Sequence, residues 1–195
     1  MPKIVLTNVR LAFPDIWEPK SFGDSGGKPS CGASLLIDPA ANAAVLEAAK
    51  AAVHQAATEK WLTKASDILK SLAAKGDAIC LRKGDTKSEY AGFAGMYYIS
   101  ARNPARPVVV DRNKAPLTRE DGRPYAGCYV DASIDIWAQD NNYGKRINAK
   151  LLALRFVRDG EAFGSGSVGS ADDFETLEDE VSTAGEVGAS DPLFG

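Results

Sequence analysis

The sequence predicts a small β-barrel interrupted by one helical insertion and followed by a disordered acidic C-terminal tail. Three observations lead there. Seven stretches, residues 3–13, 31–37, 78–81, 95–101, 106–111, 128–137 and 146–157, read as strands, by apolar–polar alternation or as short apolar runs. Residues of about 39–75 are helix formers instead, and that pattern does not recur, so no strand–helix repeat builds a parallel sheet. From Gly164 onward the chain is rich in Gly, Ser and acid and poor in bulky side chains. Such a segment cannot bury enough to offset its ordering entropy. The expected organisation is therefore one domain over residues 1–163 and a disordered tail over 164–195.

Each element has its own reason. In residues 3–13, Val5, Thr7, Val9, Leu11 and Phe13 share one face, and Asn8 and Arg10 the other. Residues 13–30, FPDIWEPKSFGDSGGKPS, are rich in Pro, Gly and Ser and read as a long loop. CGASLLI is the second strand. Asp38 can accept hydrogen bonds from the unpaired amides of a helix start, and Pro39 suits its first turn. AANAAVLEAAKAAVHQAATEKW then has high helix propensity. A second helical stretch, about residues 64–75, stops at Gly76. Residues 78–81 form a short strand. In 128–137, Val130, Ala132, Ile134 and Ile136 point inward, while Tyr129, Asp131, Ser133, Asp135 and Trp137 share the other face. QDNNYG, residues 139–144, has hairpin-loop chemistry. The last strand changes face near Leu151–Leu154, which calls for a bulge or a stretch buried on both sides.

The totals exclude several classes. The chain has 195 residues, and no apolar run approaches the ~20 residues of a membrane span. Its start, MPKIVLTNVRLAF, lacks the apolar block and cleavage site of a secretory signal. Cys31, Cys80 and Cys128 are an odd number without a CxxC, which suits reduced thiols in a cytoplasm. His54, the only histidine, sits in an Ala-rich helical run, so neither a zinc site nor a Ser/His/Asp arrangement is supported. Gly164, Gly166 and Gly169 satisfy G-x-G-x-x-G. The acids Asp172, Asp173 and Glu175 that follow would repel a pyrophosphate, so a linker is the better reading. No cofactor and no metal is expected.

Charge and aromatic placement point to nucleic acid. Residues 1–160 hold all 23 Lys and Arg against 17 acids, a net +6, while nine acids and no cation follow from Glu161. All six Tyr lie between Tyr90 and Tyr143, joined by Phe93 and Trp137, and 14 of the 23 cations lie between Arg82 and Arg158. Single-stranded nucleic acid needs rings for its base faces and cations for its phosphates. The candidate stacking residues are Tyr98, Tyr129, Trp137 and Tyr143. Tyr98 shares its strand face with Ser100 and Arg102, whereas Tyr97 falls on the core side. The candidate phosphate contacts are Arg82, Lys83, Arg102, Arg106, Arg112, Lys114, Lys145 and Arg146. Three other readings stay open. One is a strand-annealing or recombination mediator. Another is a metal nuclease using carboxylates such as Asp131 and Asp135. The third is a protein-interaction module whose acidic tail mimics DNA.

The blocks KSEYAGFAGMYYISA, RPVVVDRNKAPL and GRPYAGCYVDASIDIWAQDNNYGKRINAKLLALRFVRDGEAFG resemble a bacteriophage single-stranded DNA-binding protein family. The similarity spans most of residues 3–165 and is strongest over 90–164. It implies an OB-fold, a non-enzymatic role in coating and protecting single-stranded DNA during phage replication and recombination, and a place in the host cytoplasm. OB-folds bind oligonucleotides across the barrel face. The resemblance also gives the tail a purpose, because such proteins carry acidic tails ending in apolar residues that replication enzymes recognise. Asp191, Pro192, Leu193 and Phe194 are then a partner-binding anchor, although Gly195 follows where a terminal Phe is commonest. Exposed strand edges leave room for a homodimer.

Overall fold

The computed structural model of the chain describes residues 1–21 and 28–164. The disorder expected for the tail, the partner-binding residues 191–194, and Gly166 and Gly169 all lie outside the described residues. The elements are β1 (Lys3–Lys20), β2 (Ser30–Ile37), α1 (Ala43–Trp61), α2 (Ala65–Ala74), β3 (Leu81–Lys83), β4 (Tyr97–Asn103), β5 (Val108–Val110), β6 (Tyr129–Asn141) and β7 (Gly144–Arg158).

The strands follow the order β3-β4-β2-β1-β6-β7-β5, and a further parallel pairing joins β4 to β7 through Ala101 and Ala149. That pairing closes β1, β2, β4, β7 and β6 into a five-stranded barrel. All its other pairings are antiparallel, so the barrel is mixed. The third barrel strand in chain order meets the fifth, the Greek-key closure expected of an OB-fold. Inside it Val130, Ala132, Ile134 and Ile136 are fully buried, as their alternation requires.

β1 departs from the simple alternation. Asn8 and Phe13 have φ of 51° and 49°. The register slips at both, between Leu6 and Val9 against β6 and between Ala12 and Asp15 against β2. Each bulge inserts one residue and reverses which side chains face inward. Leu6, then Val9 and Leu11, then Ile16 enter the main core, while Val5 and Phe13 are 55% and 44% exposed. The strand also continues to Lys20, where a loop from Phe13 is expected. Its second half pairs with β2 at Asp15–Gly32 and Lys20–Ser30, and Pro14 and Pro19 are accommodated in this irregular stretch.

On β7, Ser133 faces Ala153 and Ile134 faces Leu151, so Leu152 is the extra residue of a bulge. Leu151 and Leu154 are thereby both buried, meeting the expectation for this stretch.

The helical insertion joins β2 to β3. The Asp38 carboxylate accepts from the amides of Ala40 and Ala41 at 2.8 and 3.2 Å. It caps a turn over residues 39–42, and α1 begins only at Ala43. The buried face of α1, with Leu46, Ala49, Val53, Ala56 and Ala57, recurs at helical spacing, and its small side chains let the helix sit close to the barrel. At its end the Trp61 indole donates to Asp140 at 2.8 Å, tying α1 to the β6–β7 hairpin. Among the described residues no helix is long and apolar enough to cross a membrane.

Candidate nucleic-acid interface

Two depressions meet on the barrel wall. The larger, about 530 Å³, is lined by Arg82, Lys87, Ser100, Arg102, Trp137, Gln139, Arg146 and Ala149 among others. The smaller, about 270 Å³, is lined by Phe13, Asp15, Gly32, Ala33, Ser34, Lys87, Tyr90, Ser100 and Arg102. Lys87, Ser100 and Arg102 belong to both, which makes one groove. It crosses β1, β2, β4, β7 and β6, each the neighbour of the next in the barrel. Its floor is the second and third barrel strands, where Gly32 faces Arg102 and Ser34 faces Ser100.

The cations are held in place. Arg82 donates to the carbonyls of Ile79 and Asp77, both at 2.8 Å. Arg146 donates to the Asp77 carbonyl at 2.7 Å and to its carboxylate at 3.2 Å. Residue 77 thus sets two guanidinium groups side by side, and the hydrogen bond from Arg146 lowers the Asp77 carboxyl from its usual range. Lys87 sits among rings: its Nζ lies 5.4–6.0 Å from the centroids of Tyr98, Phe13, Tyr90 and Phe93.

Those rings build one end of the groove. Phe13 meets Tyr90 edge-on at 5.2 Å and Phe93 at 5.7 Å, and Phe13 and Tyr90 are each 44% exposed. The bulge at Phe13 turns this ring out of the core and into the groove. Tyr90 and Lys87 come from residues 84–96, a segment that folds back on itself. The Gly84 amide donates to the Met96 carbonyl at 2.7 Å, and Gly95 donates to the Asp85 carboxylate at 2.8 Å. A Cβ on Gly84 would stand 2.0 Å from the Phe93 carbonyl oxygen, so only glycine permits this closure. Trp137 supplies a half-buried ring at the opposite end.

Of the sequence candidates, the groove brings together Arg82, Arg102, Trp137 and Arg146. Tyr98 requires correction. It does lie on the Ser100 side of β4, but it is 1% exposed and packs with Ala12, Leu36 and Phe93. The 84–96 segment covers this polar-looking face, so Tyr98 supports the aromatic wall from below and offers no face to a base. The remaining candidates stand elsewhere. Tyr129 lies eight residues along β6 from Trp137, about 27 Å at strand rise. Its ring is already covered by Arg158 at 3.4 Å, with Arg10 at 5.8 Å. Lys114 borders a separate hollow with Val5, Val110 and Arg155, and Arg112 precedes it in the same exposed turn. Arg106 lies 5.0 Å from the Trp17 ring. Lys83 is exposed on β3. Tyr143 is 91% exposed at the β6–β7 hairpin tip, and Lys145 beside it is paired with Asp140.

Asp131 is engaged in structure. One oxygen accepts from the Asn8 amide at 2.8 Å, and the other from Arg155 Nε at 2.9 Å. Sequence reasoning missed Phe13, Lys87 and Tyr90 as site residues. Tyr90 belonged to the aromatic cluster, Lys87 to the cationic half, and Phe13 was hidden by the bulge.

A family model described as the ssDNA-binding protein of Enterobacter phage Enc34 matches residues 2–184. The chain belongs to this family. Protein p50 of Acyrthosiphon pisum secondary endosymbiont phage 1 is 44% identical over 176 residues, covering 90% of this chain and 94% of that protein. The solved single-stranded DNA-binding protein of bacteriophage Enc34, in complex with ssDNA, superposes with a TM-score of 0.71 at 30% identity, over 83% of this chain and 89% of that one. The single-stranded DNA-binding protein gp2.5 of bacteriophage T7 superposes with a TM-score of 0.54 over 94% of this chain and 99% of that one. At 13% identity it speaks to the shared barrel alone. This family is a binding family, and family members are not enzymes.

Proposed function

We propose that this family member binds single-stranded DNA with little regard to sequence, along the groove over β2 and β4, and coats strands exposed in phage replication and recombination. The observation that carries this is the joining of the two depressions through Lys87, Ser100 and Arg102, with rings at both ends and cations between. Arg82, Lys87, Arg102 and Arg146 counter phosphates, which gives affinity without reading sequence. Phe13 and Tyr90 at one end, and Trp137 at the other, offer faces for bases, each worth about 1–3 kcal/mol. A duplex keeps its base faces stacked inside, so it gains only the charge part. The complex of the Enc34 protein with ssDNA supports the reading, since its fold is the same over most of both chains.

The tail completes the proposal. Tethered acids around Leu193 and Phe194 would steer toward basic patches on replication proteins, and could also compete for the groove at high local concentration. Deleting residues 165–195 should then tighten single-strand binding, most at low salt, and equal affinity at every salt would remove the competition idea.

Intrinsic fluorescence of the full chain, titrated with oligo-dT and with a duplex of equal length, tests the groove. Strong quenching by the single strand, weak by duplex and eased by salt, is the expected result. No binding to either, checked by gel shift, would favour a protein-interaction module instead.

A further inference from the structure

We infer that Arg10 and Phe163 form a clasp that positions the aromatic wall of the groove, although neither lines it; the inference rests on the groove reading above. Beyond β7 the chain is fastened to residues 125–127 and to Arg10; the Tyr125 hydroxyl, for one, donates to Asp159 at 2.9 Å. Arg10 donates to the carbonyls of Gly127 at 3.0 Å and Glu161 at 2.7 Å. The Phe163 amide donates to the Ala126 carbonyl at 2.9 Å. The Arg10 guanidinium also lies 4.3 Å from the centroid of the Phe163 ring.

The ring of Phe163 is thereby pressed against the small cluster of Ala12, Leu36, Phe93 and Tyr98, separate from the main core, with Met96 beside it. This cluster is the underside of the 84–96 segment. Phe93 in turn touches Phe13 at 5.7 Å and Tyr90 at 6.1 Å, the two rings that face the groove. Contact therefore runs from Arg10 to Phe163, from Phe163 to Gly92 and to the cluster that holds Phe93, and from Phe93 to the base-facing pair. Gly92 shows how tight the fit is. It has φ of 81°, and a Cβ there would stand 2.3 Å from the tip of the Phe163 ring. The segment that carries Lys87 and Tyr90 is short and mostly exposed, with few buried contacts of its own. Such segments open locally at low cost unless something holds them. Phe163 supplies the hold, and it is the last ring before the acidic tail.

The test compares Phe163→Leu, Phe163→Ala, Gly92→Ala and Tyr90→Ala in the full chain, by oligo-dT titration. Tyr90→Ala should weaken binding at least about five-fold, the low end of one stacked base. Phe163→Ala should weaken it about three- to five-fold, with full binding stoichiometry and an unchanged salt slope, because no phosphate contact is lost. Phe163→Leu should restore most of the affinity, and Gly92→Ala should mimic Phe163→Ala from the other side. In the Tyr90→Ala background, Phe163→Ala should add less than about two-fold, the non-additivity of coupled residues. A general loss of fold would instead lower stoichiometry and leave the two effects additive. If Tyr90→Ala weakens binding while Phe163→Ala and Gly92→Ala leave it intact at full stoichiometry, the clasp is refuted and the groove stands. If Tyr90→Ala itself binds like the native chain, the groove reading is what fails.

Discussion

Replacing Lys87 by Ala separates charge from stacking in the groove. Four cations line the larger depression, Arg82, Lys87, Arg102 and Arg146. If each neutralises one phosphate, log affinity for a single strand falls with log salt at a slope of about −2.8, taking about −0.7 per phosphate. Between about 50 and 200 mM salt, affinity then drops roughly fifty-fold. Lys87→Ala removes one charge, so the slope should flatten to about −2.1 and the same change of salt should cost only about twenty-fold. Lys87 makes no carboxylate contact among the described residues and is held by rings, so its removal frees no buried charge. The native chain and the variant are compared by fluorescence titration with oligo-dT over a salt series. Arg112→Ala and Lys114→Ala, which stand outside the groove, should leave the slope near its native value. Tyr90→Ala should lower affinity at every salt with the slope unchanged. The reasoning fails if Lys87→Ala weakens binding equally at all salt concentrations, or if the Arg112 and Lys114 changes flatten the slope more than it does.

Further outcomes follow from burial. Tyr98→Ala should cost about 3–5 kcal/mol of stability, the usual loss for a large buried ring, while Tyr98→Phe stays close to native in urea unfolding and in DNA binding. Tyr98→Phe with native stability but several-fold weaker binding would return Tyr98 to the interface. Burial pushes the Cys80 thiol up to about 12 and the Cys128 thiol up to about 11. These folded values lie above the unfolded value of 9.0, so the thiols' contribution is intact below about pH 9 and is lost as pH rises toward 11–12. The urea midpoint should therefore fall from pH 9 to 10, and Cys80→Ala should make that fall shallower. Asp131→Ala removes the bonds to the Asn8 amide and to Arg155, both open to water, and should lower stability by about 0.5–1.5 kcal/mol without changing the salt slope of DNA binding. A large change of slope would place Asp131 in the DNA path.

Much of this protein follows from its sequence alone. Alternation along residues 128–137 decides which side of β6 faces the core, because a strand's side chains must alternate. The change of pattern near Leu151–Leu154 marks an irregularity in β7, a bulge or a stretch buried on both sides, and the register shows the bulge. The Ala-rich run, with Asp38 and Pro39 ahead of it, marks the helical insertion. The uneven spread of cations and rings points to nucleic acid, and the quoted blocks carry the family.

Three matters were decided only by the tertiary structure. Phe13 and Tyr98 exchange the roles that strand phase assigns them. A bulge at positive φ turns Phe13 outward, and the 84–96 segment folds over Tyr98; neither event leaves a mark in local periodicity. Lys87 becomes central because that segment carries it over the barrel wall, next to the β4 ring of Tyr98 and to the β1 ring of Phe13, 74 positions away in the chain. The cations around it depend on pairing as well. Arg82 and Arg146 lie 64 positions apart in the chain, and Asp77 brings them together once β3 and β7 stand on the same side of the barrel. Composition can say that a chain has enough charge and enough rings for single-stranded DNA. Which of them share one groove depends on the register of non-adjacent strands and on what covers them, and both are set by long-range packing.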